Sequence, residues 1–276
     1  MHPPWIIVII IGSIALIFAL VKLAKVAATR ERQRIAALAD WAARNGFQFS
    51  KNDPLNLDAR FNGLFDIGRG HDRYAFEVLS RSDPVPAFIF QYHYKTWETR
   101  TVTTRDSHGR THTRTERYEQ SHWKRFLIIE LGAAFPSLVI RPEGWFDKLA
   151  GFVGFDDVDF ESEQFSSRYF VKSTERQFAY AVIHPQMMEW LLAEPFAGQI
   201  DGGLLTRDLS GQRHDAATCH AAWSAAVGFI NRIPSFVWQD YGKRERIALP
   251  EPEPAPPAIA SSNAAAAAPA TPVTGA

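Results

Sequence analysis

The stretch HDAATCH, residues 214 to 220, holds the side chains best suited to covalent chemistry. A cysteine beside imidazoles is the composition of a thiol nucleophile with its general base. The spacing argues against that use. Cys219 and His220 are adjacent, so on a helix their side chains diverge by about 100°. Asp215 has a simpler use, as a negative charge at a helix amino end. A metal is the next chemistry to weigh. His108 and His112 are four apart, a spacing that converges on a helix but not across a hairpin loop, and no thiolate or carboxylate completes a zinc set. In FDDVDFESE, Asp157, Asp159 and Glu161 alternate with Val158 and Phe160. A calcium loop of the EF-hand kind needs glycine at its sixth position and glutamate at its twelfth. Without that glycine, the pattern predicts an edge strand with a solvated acidic face. No G-x-S-x-G, phosphate loop or H-E-x-x-H occurs, and GRGHDRY lacks the third glycine of a dinucleotide loop. These readings assign no catalytic, cofactor-binding or metal-binding residue.

The stretch TVTTRDSHGRTHTRTER, residues 101 to 117, raises phosphate binding instead. Between 97 and 119, Arg100, Arg105, Arg110, Arg114 and Arg117 stand against Glu98, Asp106, Glu116 and Glu119, which leaves a net charge of 5 − 4 = +1. The whole chain has 30 basic and 30 acidic residues. Nucleic-acid affinity rests on several uncompensated charges, so no nucleic-acid partner is expected. The pattern is that of a β-hairpin. With Ser107, His108 and Gly109 as the loop and Gly109 left-handed, facing residues have numbers that sum to 216. Asp106 then faces Arg110, Thr103 faces Thr113, Thr101 faces Thr115 and Arg100 faces Glu116, all favourable cross-strand pairs. The same register sets Phe90 against Phe126 and Ile89 against Leu127, and it gathers Phe88, Phe90, Tyr92, Phe126 and Ile128 on one face. Arms of this length predict a bulge or bend. The base belongs in a core. The part from 97 to 119 reads as polar on both faces and must project, by about 30 Å. It is the candidate contact for a protein partner or a second copy, through the five arginines named above.

Stepping outward, WIIVIIIGSIALIFALV runs from Trp5 to Val21 without a charge. As a helix it spans about 25 Å, nearly the hydrocarbon core. A basic segment before it is missing, so an anchor is expected rather than a cleaved leader. Trp5 suits an interface, and Lys22 and Lys25 snorkel beyond the span. The Lys and Arg residues that follow place the carboxyl side in the cytoplasm by the positive-inside rule. The expectation is a single-pass protein of the bacterial inner membrane, with the lipid bilayer as a partner of residues 1–26. A lone cysteine, Cys219, suits a reducing compartment.

The remainder divides into a juxtamembrane helix at 27–46, an α+β domain at 47–248 with a sub-boundary near 143–155, and a Pro/Ala-rich tail at 249–276, predicted disordered. Period-two patterns predict strands at 47–49, 74–80, 137–141 and within RYFVKS, and two short ones around Gly202-Gly203. GWFDKLAGF reads as a helical turn. Helices fill the C-terminal half: one divided at Pro185, and one from about 214 to 231 with Trp223, Val227 and Ile230 on one face.

The order FIFQYHYKT, FPSLVIRPEG, FDDVDFESEQFSSRYFVKSTER resembles a group of bacterial single-pass membrane-anchored proteins of unknown function. The shared features are an aromatic Y-x-Y strand, a strand ending in R-P-E and an F-x-x-x-[YF]-x-[LV] strand before a helix, between about Tyr74 and Leu209. The resemblance implies an anchored α+β domain and carries no activity or site residue. Two functions stay open: a non-enzymatic cytoplasmic interaction module at the inner membrane, and a membrane-surface enzyme with its site in a cleft between the sheet and the C-terminal helices.

Overall fold

The computed structural model describes residues 4–105, 109–143 and 156–255, with α1 side chains from residue 13 onward except residue 15. Among these, nine strands form one sheet in the order β1-β2-β3-β4-β9-β8-β5-β7-β6, and every neighbouring pair is antiparallel. The antiparallel α+β architecture agrees with the alternating patterns. The strands are β1 (Gln48–Asn52), β2 (His71–Arg81), β3 (Ala87–Arg105), β4 (Thr111–Glu130), β5 (Leu138–Pro142), β6 (Asp156–Asp157), β7 (Tyr169–Ser173), β8 (Gly198–Asp201) and β9 (Leu204–Asp208). The helices are α1 (Pro4–Arg44), α2 (Leu57–Arg60), α3 (Glu163–Ser166), α4 (Arg176–Val182), α5 (Pro185–Ala193), α6 (Ala216–Arg232) and α7 (Ser235–Asp240).

β3 and β4 make the expected hairpin. Their register runs unbroken from Ala87↔Ile129 to Arg105↔Thr111, and every pair sums to 216. Gly109 has φ +79°, the left-handed backbone that glycine adopts without a Cβ penalty. Asp106, Ser107 and His108 lie outside the described residues. Among the described residues, no bulge interrupts the pairing of these arms. The irregularities fall in β2, between His71 and Tyr74 and between Phe76 and Leu79. Asp72 (φ +50°) and Glu77 (φ +47°) occupy them.

Because side chains alternate across a strand, the hairpin base feeds two cores. Phe88, Phe90, Tyr92, Tyr94, Phe126 and Ile128 join Leu57, Phe61 and Ile67 on one face. Ile89, Leu127 and Ile129 join Leu38 and Trp41 of α1, with Trp223, Val227 and Ile230 of α6, on the other. The acidic edge strand is shorter than expected. β6 is two residues long, and Val158 beyond it is buried while Asp159 and Glu161 are exposed. The GWFDKLAGF turn lies outside the described residues. The start of the Pro/Ala-rich segment rests on α1, where Arg44 donates to the Pro254 carbonyl (3.2 Å) and Asn45 accepts from the Glu253 amide (2.8 Å).

The N-terminal anchor requires correction. Among the described residues, no helix is long and apolar enough to cross a membrane. The apolar run is not an element of its own. It is the start of one uninterrupted helix, Pro4–Arg44, which carries charge from Lys22 onward. A span needs about 20 consecutive apolar residues. The transmembrane helix, the single-pass inner-membrane location and the cytoplasmic orientation built on it are overturned together. Trp5 lies among the side chains outside the description, and Lys22 and Lys25 are exposed.

Candidate functional site

Among the described residues, a buried polar cluster with catalytic residue types lies where α1 and the start of α6 meet the sheet. Its hub is Glu77, whose positive φ swells β2 and turns the carboxylate inward. Arg34 of α1 donates to Glu77 Oε1 at 2.6 Å, and Gln91 of β3 donates to Oε2 at 2.7 Å. Arg34 also reaches Glu31 (2.6 Å) and the His214 carbonyl. Glu31 and Glu77 hold its guanidinium charged by hydrogen bonds, against the opposing cost of burial. His214 Nε2 lies 2.9 Å from the Glu77 carbonyl, and its Nδ1 lies 3.9 Å from Cys219 Sγ.

The histidine's partners fix its tautomer. A carbonyl accepts only, so Nε2 carries the proton and Nδ1 is left to accept from the thiol. Burial lowers His214 to a pKa of about 4 and pushes the Cys219 thiol up to about 12. A nucleophilic cysteine needs the reverse. The arrangement keeps the imidazole neutral and the thiol protonated, and it clamps α1, β2, β3 and the start of α6 together. Asp215 caps α6 by accepting from the Thr218 amide at 2.9 Å, as its place at the helix start suggested. The sequence set Cys219 beside His220 and argued against that pair. The structure selects His214, because the cap at Asp215 leaves it outside the helix, free to fold back over the first turn.

Further along the same face the character changes to exposed aromatic. His93 packs against Trp123 (ring centroids 4.3 Å) and Tyr74 (4.9 Å), and Phe76 meets Trp123 at 5.8 Å. Trp97 stacks on His71 at 5.4 Å, and Arg117 lies over its other neighbourhood at 4.3 Å from the ring centroid. Trp123 is 60% exposed and Trp97 49%. Tyr118, on the opposite face, carries Arg100 at 5.5 Å. The distal ribbon is therefore not purely polar, and sequence reading passed over these exposed rings. The signal was present: an aromatic residue with arginine on the diagonal position of the predicted register.

All five candidate arginines are exposed. They are spread along the ribbon rather than gathered. Arg100 donates to Glu116 (3.0 Å), Arg114 lies 2.5 Å from the same carboxylate, Arg105 donates to the Gly109 carbonyl (3.0 Å) and Arg117 covers Trp97. Arg110 follows the turn. Near the base, His71, Asp72 and Glu119 bring ligand atoms within 4.8 Å of one another. Lys95 already fills this cluster, 3.0 Å from Asp72 and 3.2 Å from Glu119. The lysine holds the Asp72 carboxyl below its ordinary range, so a divalent ion would have to displace an ammonium with two carboxylate partners.

The expected cleft lay between the sheet and the C-terminal helices; the observed cleft has no strand residue in its lining. A cleft of about 850 Å³ lies between residues 159–164 and α4–α5. Asp159, Glu161 and Glu189 line it with Phe160, Ile183, Met188 and Leu192. His184 is there too, but its ring caps α5 through the Met187 amide and meets the Arg232 carbonyl at 3.2 Å. His214 and Asp215 belong to the other cluster, so the structure does not unite the histidines.

Comparison with known proteins gives little beyond this. No family model matches the chain, and no curated protein matches it. One solved structure is similar, that of the mycobacterial trehalose monomycolate transport factor A, TtfA. It shares 12% identity over 74% of this chain and 97% of that one, at a TM-score of 0.48.

Proposed function

We propose that this protein is a non-enzymatic interaction module whose contact element is the β3–β4 ribbon, and that its partner is another protein chain. One observation carries the reading. Trp97, Tyr118 and Trp123 stand exposed on a two-stranded ribbon, with Arg100 and Arg117 laid over two of the rings. Tryptophan, tyrosine and arginine are the residues that dominate protein–protein contacts. A projecting element with both long edges open can present them without disturbing the cores behind it. Catalysis has the weaker case, since the Cys219–His214 pair is buried and protonated in the inert sense.

The test is a photo-reactive phenylalanine analogue placed at Trp97 or Tyr118 in the cell, with the same analogue at Tyr180, 48% exposed on α4, as control. The expected result is a discrete protein adduct from the ribbon positions and none from the control. Ribbon positions that give no adduct, or the same pattern as the control, would overturn the proposal.

A further inference from the structure

The outer edge of β4 points to the identity of that partner. β9 pairs with β4 only from Phe126 to Glu130. From Thr111 to Lys124 the described residues supply no strand on that side, so alternate backbone N–H and C=O groups face outward. Sheet edges of this length are ordinarily blunted by charged side chains, proline, bulges or a covering segment. This one has no proline, and its pairing with β3 is unbroken.

Its charges follow a particular order. Arg114 and Glu116 are two residues apart and so share a face. A strand bearing opposite charges at i and i+2 is complementary to itself. If a second copy lies antiparallel about a two-fold axis at residue i+1, each charge meets its opposite. Such an axis, perpendicular to the sheet, requires facing residues whose numbers have an even sum, because facing residues share a side of the sheet. Centred on Thr115, the sum is 230. Arg114 then faces the partner copy's Glu116 twice over, Thr115 faces its own counterpart, His112 faces Tyr118 and Thr113 faces Arg117. The whole segment Thr111–Glu119 is used.

A competing centre exists at Tyr118, between Arg117 and Glu119. Those charges are already engaged: Arg117 covers Trp97, and Glu119 holds Lys95 at 3.2 Å. Arg114 is 71% exposed and bridges to Oε1 of its own strand neighbour Glu116, whose Oε2 keeps Arg100 at 3.0 Å; the second copy would supply Arg114 with an equivalent carboxylate oxygen without disturbing that pair.

Resting on the reading of the ribbon as a contact element, we infer that the partner is a second copy of this chain, joined through antiparallel β4 edges centred on Thr115. The joined ribbons form a continuous four-stranded sheet, β3-β4-β4-β3, across the two-fold axis.

The design of the edge dictates the experiment, carried out on the full chain. Cys219 is the single native cysteine and is 1% exposed, so an added thiol is the one that reacts. Under mild oxidation Thr115→Cys should give a disulfide-linked dimer, because its counterpart lies directly opposite. Thr113→Cys should not, since its counterpart is four residues along, about 13 Å away. Sedimentation velocity then reads the charges. Arg114→Glu alone and Glu116→Arg alone each set like charges against like at both positions and should weaken association by about tenfold or more. An equimolar mixture of the two variants sets every charge against its opposite and should restore association as a mixed dimer.

Failure of the mixture to associate overturns the inference, as does a Thr113→Cys dimer formed as readily as the Thr115→Cys dimer. A photo-adduct at Trp97 or Tyr118 whose mass shows a different protein leaves the contact element standing and removes the second copy. Loss of both the adduct and the mixed dimer removes both.

Discussion

The two halves of the β3–β4 hairpin are built by the same two strands in one register, yet they stand in opposite environments. At the base, Phe90 and Phe126 face each other with no exposure, and Ile89 and Leu127 do the same on the reverse side. Ten residues farther out, Thr101 faces Thr115 and Arg100 faces Glu116, all outside any core. The backbone hydrogen-bond ladder is common to both halves. What differs is the area each side chain removes from water, at about 25 cal/mol per Å². Stability is therefore expected to concentrate at the base, and the distal half is left to answer other demands.

The base half is where a single substitution should cost most. Phe126 is fully buried, packs against Phe90 at a ring-centroid distance of 5.8 Å and reaches Tyr92 at 6.4 Å. Phe126→Ala removes a ring from a core with neighbours on three strands and should destabilise by about 3–5 kcal/mol. Chemical denaturation measures it. A loss under about 1 kcal/mol would mean that the base is not the stabilising half.

The Glu77–Arg34–His214 cluster meets the base half at Gln91, beside Phe90, and makes the stability of that half depend on pH. The folded protein holds His214 near a pKa of about 4, below its ordinary 6.5, because burial disfavours the imidazolium. In the unfolded chain it regains the ordinary value and binds a proton that the native state refuses. Its contribution is thus present above pH 6.5 and is lost as pH falls toward 4. Between pH 8 and pH 5 the loss should be about 2 kcal/mol. His214→Asn should flatten that part of the stability profile relative to the parent. An unchanged difference between pH 8 and pH 5 would show that His214 is not the buried neutral imidazole described.

Sequence made the hairpin legible for the same reason that its halves differ. Alternation of aromatic and aliphatic residues at the base, and of threonine with opposite charges distally, is satisfied together by one register. The helices divided by Pro185 and ended near Pro234 were legible from local rules. The polar cluster was not. Its members stand at 34, 77, 91 and 214, and the residue that joins them, Glu77, adopts a positive φ that nothing in a non-glycine residue announces. The aromatic part of the ribbon was hidden differently. Trp97 and Tyr118 were counted within a polar stretch, although their diagonal arginines, Arg117 and Arg100, were already given by the register. The anchor was read from an uncharged run of seventeen residues, whereas among the described residues no helix is long and apolar enough to cross a membrane.

The smallest effect should come from removing the distal half altogether. Replacing residues 98–118 with Asn-Gly leaves Trp97 facing Glu119 across a two-residue turn, a connection that suits antiparallel strands. The lost pairs are exposed. Arg100–Glu116 and Thr103–Thr113 are worth a few tenths of a kcal/mol up to about 1 kcal/mol each, and closing a shorter loop recovers part of that. The Arg117–Trp97 stack is also lost, again at an exposed site where such contacts are worth about 0.5–1 kcal/mol. These terms oppose one another, so the thermal midpoint should stay within a few degrees of the parent, while the contact surface is gone. A midpoint lowered by more than about 10 °C would make the distal ribbon part of the stability of the fold, and the division between a structural base and a contact-making tip would fail.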